Sequence, residues 1–217
     1  MNKLIFLQIS TIGRNNLTLS DWADLATILA STAIIGVAAQ FFHSRKELEA
    51  DHERSRREKT VDILLEWDQR LKKEGALARK IVETFSAEQC REIHAQLPII
   101  VNAKLEPLLK QLFNTDFTAH NNQITLNEAY SSELRWHVIT YLNALESVLV
   151  AWQYSVIDRE IIEHQFSYLF KPSDGHEGLK HFRVAAGGGD SYPAIEIFAS
   201  HIKEERRKKL IQKANVA

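Results

Sequence analysis

The sequence predicts an all-α protein with an N-terminal transmembrane helix, a charged helical stalk and a cytoplasmic helical bundle. Three observations lead there. Leu25 to Phe42 runs for eighteen residues without a charged side chain, a dense band of charge follows from His43, and Leu, Ala, Glu, Lys and Ile dominate while prolines number four and glycines eight. An eighteen-residue helix rises about 27 Å, close to the hydrocarbon thickness of a bilayer, and Trp22 to Asp24 complete the length.

Residues 1–20 are read as a short extracytoplasmic segment. Lys3 followed by Leu4-Ile5-Phe6-Leu7 imitates a secretory signal, but Gln8 and Ser10 break the apolar stretch and no small-x-small cleavage site precedes Arg14-Asn15-Asn16. A signal cleaved near Ala30 to Ala39 is the alternative. Residues 21–43 are the expected span. Ser20 suits an N-cap, Asp21 and Asp24 suit the positive end of the helix dipole, and Trp22 sits where an interfacial indole belongs. Thr27, Ser31, Thr32, Gly36 and Gln40 make the run only moderately apolar, so a buried helix of a soluble core is the competing reading. Thr32, Gly36 and Gln40 recur every four residues and share one face. Small residues and an amide at that spacing favour packing between spans, or a polar path if copies form a ring.

Residues 44–60 carry six Lys or Arg, against Lys3 and Arg14 before the run. That bias places the N-terminus outside and everything after Phe42 on the cytoplasmic side of the membrane. The lone Cys90 has no partner for an internal bridge, which suits a reducing compartment. In the stalk, Glu47, Asp51, Arg54 and Glu58 lie at helical spacing, as on a helix solvated all round or bundled with copies of itself. The net charge of -1 gives no global field that would gather nucleic acid, and no DNA partner is expected.

Residues 61–217 are expected to form one helical domain. Val61, Leu64, Leu65, Leu71, Ala78, Ile81, Val82 and Phe85 make an apolar stripe with Trp67 beside it. Ser86 and Gln89 form a capping box, Pro98 ends the helix that follows, and residues 99–113 form another apolar piece containing Pro107. Asn114 to Asn122 is a loop, and Thr125 with Glu128 is a second capping box. A helix from about Ser132 to Val156 forms the centre, with Leu134, Val138, Leu142, Leu145, Leu149 and Trp152 as its stripe. A second span there is disfavoured by Asn143 and Glu146 at mid-depth. Asp158 caps a helix to Phe170, a short one covers Leu179 to Ala185, Gly187-Gly188-Gly189 breaks it as a hinge, and Ser191-Tyr192-Pro193 opens the last.

Few residues offer chemistry. Arg159 and His164 satisfy the Arg-x4–6-His spacing of HEPN ribonucleases, in which arginine holds phosphate and histidine moves a proton. Chance alone predicts ~1.6 such matches in this composition, and the chain has two, the other being Arg45 with His52. Asn143 and Glu146 are expected as a buried polar core, clamped by Arg135, His137 or Arg183. Lys203, Arg206, Arg207, Lys208 and Lys209 form a basic surface suited to anionic headgroups or to RNA. The nine histidines include no His-x3-His pair, so no metal site is expected.

The anchor-and-stalk layout resembles small bacterial single-pass membrane proteins of the DUF type. So does Tyr141-Leu142-Asn143-Ala144-Leu145-Glu146 followed by Val156-Ile157-Asp158-Arg159-Glu160. Similar proteins include accessory membrane components of type VI-B CRISPR systems, whose cytoplasmic part is a divergent HEPN-like domain and which assemble into rings that open the membrane. The resemblance implies a self-associating effector of antiviral defence anchored in the bacterial inner membrane, pore-forming or membrane-perturbing, with no cofactor. Its expected partners are the lipid bilayer, further copies of the chain, and a cytoplasmic protein or RNA-guided effector. The alternatives are a membrane-anchored HEPN-like ribonuclease and a non-enzymatic scaffold that recruits a cytoplasmic partner. Within residues 61–217 only Arg159 and His164 match the ribonuclease pattern, which leaves that activity without further sequence support.

Overall fold

A computed structural model describes the backbone of residues 19–171 and 177–214 and the side chains of residues 40–171 and 177–214. The chain divides into two units, residues 1–52 and 53–217. It is mostly helical, with eight α-helices among the described residues: α1 (Leu19–Arg70), α2 (Lys73–Val82), α3 (Ala87–His94), α4 (Glu106–Phe113), α5 (Glu128–Gln153), α6 (Arg159–Phe166), α7 (Lys180–Ala185) and α8 (Pro193–Ala214). Two short strands, β1 (Ile99–Asn102) and β2 (Gln123–Leu126), pair antiparallel with Ile99 opposite Leu126.

The first unit contributes residues 19–52 of α1. Side chains of the expected span up to Ala39 lie outside the described residues. From Gln40 to Lys59 every side chain is exposed, and the helix is laced by His43–Glu47 (3.3 Å), Glu53–Arg57 (3.0 Å) and Arg54–Glu58 (3.1 Å) pairs. Such i,i+4 pairs contribute a few tenths of a kcal/mol each, and they let a helix stand without an apolar face. Among the described residues no helix is long and apolar enough to cross a membrane.

In the larger unit the core forms around α5, which packs against α2 and α8, while α3 packs against α7. The expected stripe of α5 is the core: Leu134, Val138, Leu142, Leu145, Leu149 and Trp152 are all buried. Burying each contributes about 1.5–3 kcal/mol. Ser86 and Gln89 close a reciprocal capping box on α3, and Asp158 caps α6 by accepting from the amides of Glu160 and Ile161.

Four expectations need correction. Val61 and Leu65 are exposed while Thr60 is fully buried, so the inward face of α1 is turned by one residue. Burial of Thr60 is tolerated because its hydroxyl donates to the Arg56 carbonyl (2.7 Å) and accepts from the Asp158 amide (2.8 Å). Thr125 is no cap; it lies in β2, and the N-cap of α5 is Asn127, whose Oδ1 accepts from the Tyr130 amide. Residues 99–113 are a strand, a 3-10 turn at Ala103–Leu105 and α4, which starts at Pro107's predecessor because a proline without an N–H fits the first turn. Finally, α6 ends at Phe166 and tightens into a 3-10 turn at Ser167–Phe170.

Candidate functional site

An open groove of about 570 Å³ lies between α6 and α8, lined by Glu160, Glu163, His164, Ile202, Glu205, Arg206 and Lys209 among others. Its position follows from the sequence locally. Asp158 starts α6 a few residues after the end of α5, Ile162 and Phe166 turn into the core, Glu163 is half-buried, and the other positions of the short helix are exposed. On α8 the last buried residue is Ile202, so the turns after it leave the core and form the second wall.

Behind the groove Glu163 is the hub. Its Oε1 accepts from the Trp152 indole N–H at 3.0 Å, and Nε2 of His201 lies 3.0 Å from the same oxygen, at ion-pair distance but off the line of a hydrogen bond. The Arg159 guanidinium stacks 4.4 Å over the Trp152 ring, with its Nε 3.9 Å from Glu163. Trp152 also meets Phe198 edge-on at 4.9 Å. An indole held by its N–H, an aromatic partner and a cation on its face is an orienting arrangement.

Arg159 and His164 do not converge in the chain. Five residues apart on one helix they point to different faces: Arg159 lies on Trp152, and His164 is exposed on the groove wall. His164 shares the groove with Ser167, Arg206 and Lys209. Arg206 in the groove is engaged, donating to the Phe170 and Ser167 carbonyls at 2.7 and 2.8 Å and so closing the end of the 3-10 turn. Arg207 is bidentate to Glu204, and Lys208 pairs with Glu205; these hydrogen bonds hold both carboxyls below the usual range. The basic surface is therefore narrower than its composition suggests, with Lys203 and Lys209 carrying no ion pair among the described residues.

The buried polar core needs correction at one position. Asn143 is exposed, because it falls on the outward stripe of α5. Glu146 is half-buried, and its hydrogen bonds go to the backbone while its charge acts on Arg183. Its two carboxylate oxygens accept from the backbone amides of Ala194 and Ile195, at 2.8 and 2.9 Å, capping α8 from a different helix. The N-terminus beside the triple glycine is thus already filled by the protein's own carboxylate. Arg183 is the buried cation instead, 2% exposed, donating to the Gly178 and Glu177 carbonyls and pairing with Glu196 at 2.7 Å. Burial lowers its pKa, partly offset by Glu196, Glu146 and Glu177.

Of the span residues, Thr32, Gly36 and Gln40 lie on helical backbone, which places them on one face. The Thr32 side chain and the surroundings of Gly36 lie outside what is described, and the Gln40 side chain is exposed. Among the described residues no three His, Cys, Asp or Glu side chains gather as a metal site would require.

No protein-family model, curated protein or solved structure matches this chain. Sequence reasoning missed Glu163 and His201, and named Arg183 without its partners Glu177, Gly178 and Glu196. Glu163 lies four residues after Arg159 and eleven after Trp152, a spacing that hints at the first contact and carries nothing about the second.

Proposed function

We propose that this protein is a non-enzymatic, single-pass protein of the bacterial inner membrane that self-associates and perturbs the bilayer, as a pore-forming effector of antiviral defence would. Residues 21–43 are its anchor, the N-terminus is outside, and the helical domain is cytoplasmic. The observation that carries this reading is the uncharged run from Leu25 to Phe42, followed directly by a basic-rich segment of the same helix, α1. The exposure of Phe41 and Phe42, 60% and 66%, is consistent with aromatic side chains left for an interface. Within one chain Arg159 and His164 stand on different faces of α6, so the ribonuclease alternative would need the pair to be completed by a second copy.

Carbonate extraction of membranes from cells expressing the full chain tests the anchor. The protein is expected in the pellet, with external protease sparing the domain. Recovery in the soluble fraction overturns the reading. In planar bilayers the purified protein is expected to raise conductance, and Gly36→Leu on the packing face is expected to reduce it.

A further inference from the structure

The exposed face of α5 has an unusual composition for a solvated helix. Trp136, Thr140, Asn143, Ser147, Val150 and Tyr154 are exposed and recur at alternating spacings of four and three, a continuous stripe along the helix and its C-cap. None is charged. Charged residues, by contrast, predominate on the exposed faces of α1 from residue 43 to 59 and at the end of α8, with Leu48, Leu210 and Ile211 interspersed. Trp136 and Tyr154 are 66% and 71% exposed, well beyond what a core-facing helix leaves to water.

We propose that this stripe is a homodimer interface, in which α5 packs antiparallel against α5 of a second copy. The order of side chains argues for a second copy rather than an unrelated partner. From either end it reads aromatic, β-branched, small polar, small polar, β-branched, aromatic. A two-fold axis between Asn143 and Ser147 therefore sets Trp136 against Tyr154, Thr140 against Val150 and Asn143 against Ser147, the self-complementarity an isologous contact requires. The small pair at the centre lets the backbones approach, and the aromatic pairs at the ends form the anchors. Without charge on the stripe, no like-charge pair arises when identical faces meet.

Area sets the strength. The two aromatics present about 300 Å² per copy, and with the four smaller residues the stripe offers roughly 500 Å². The total of about 1,000 Å² lies at the lower limit for a specific interface, so the dimer is reversible in dilute detergent and becomes dominant where copies share a membrane. This identifies a contact for the self-association proposed above and rests on that reading.

The full chain in detergent, followed by light scattering over a dilution series, is expected to pass from dimer or larger assembly to smaller species. Trp136→Ala with Tyr154→Ala is expected to weaken association at least about tenfold with helical circular dichroism unchanged. The pair Asn143→Cys and Ser147→Cys is expected to form a covalent dimer on mild oxidation, whereas Gln165→Cys on α6 is not; the native Cys90 is buried and does not interfere. A monomer at every concentration, unaltered association in the aromatic double variant, or no cross-link at 143 and 147 overturns the interface. A cross-linking protein found in the soluble fraction leaves the interface standing and removes the anchor. A carbonate-resistant protein without the cross-link does the reverse.

Discussion

Glu146 shows what a single side chain does in this fold. Sequence position marked it as a polar group on an apolar helix, and its burial followed. Its partner was not legible, because the groups it meets are backbone amides 48 and 49 residues further on, which every residue type except proline offers. Ala194 and Ile195 are fully buried, so removing the acceptor leaves two amides unsatisfied. Glu146→Ala is expected to lower unfolding stability by about 2–3 kcal/mol in urea titration, and Glu146→Gln by less, since an amide oxygen still accepts. His94 supplies a pH dependence. Burial, and secondly the Arg135 charge, lower its pKa, so the folded state prefers the neutral ring. Its contribution is complete above the unfolded pKa of about 6.5 and declines as pH falls toward the lowered folded value. The unfolding midpoint is expected to fall over that interval, and the slope is expected to be shallower in His94→Gln.

At the scale of elements, long periodic segments were legible and short ones were not. The stripe of α5 repeats often enough to be read, and each of its six named positions is in the core. Strands of four residues are too short for a period to separate them from a helical turn. Ile99-Ile100-Val101 looks like any apolar run until Leu126 and Ile124 are placed opposite. The face of α1 was displaced by one residue for a related reason. Val61 and Leu65 carry the apolar signal, whereas Thr60 is inside because a distant amide satisfies its hydroxyl. Thr60→Val keeps the volume and removes that acceptor. Its expected cost is about 1–3 kcal/mol by thermal or chemical unfolding, with Thr60→Ser close to wild type.

For the whole molecule, the larger unit has one connected core running from Leu77 to Ile202. Cys90 lies within it, and burial pushes its thiol up to about 11. Alkylation at neutral pH is expected to be slow in the native state and to track global opening, so labelling measured against urea should follow the unfolding curve; fast native labelling would show that the core opens locally. The candidate site was legible only in part. Asp158 was recognised as a cap, and Arg159 and His164 were marked by spacing, but the network behind them depends on Trp152, Glu163 and His201 from three helices. Which residues meet across helices is set by packing, and a pattern along the chain does not record it.

The Thr60 hydroxyl has a mechanical consequence. Asp158 begins α6 and also lies 3.7 Å from Arg57, so the residue that starts one helix is held twice by another. Twisting α1 about its long axis sweeps Thr60 and Arg57 sideways past Asp158 and loosens the first turn of α6. Within the larger unit, torque on that helix and fraying of the groove wall become one motion.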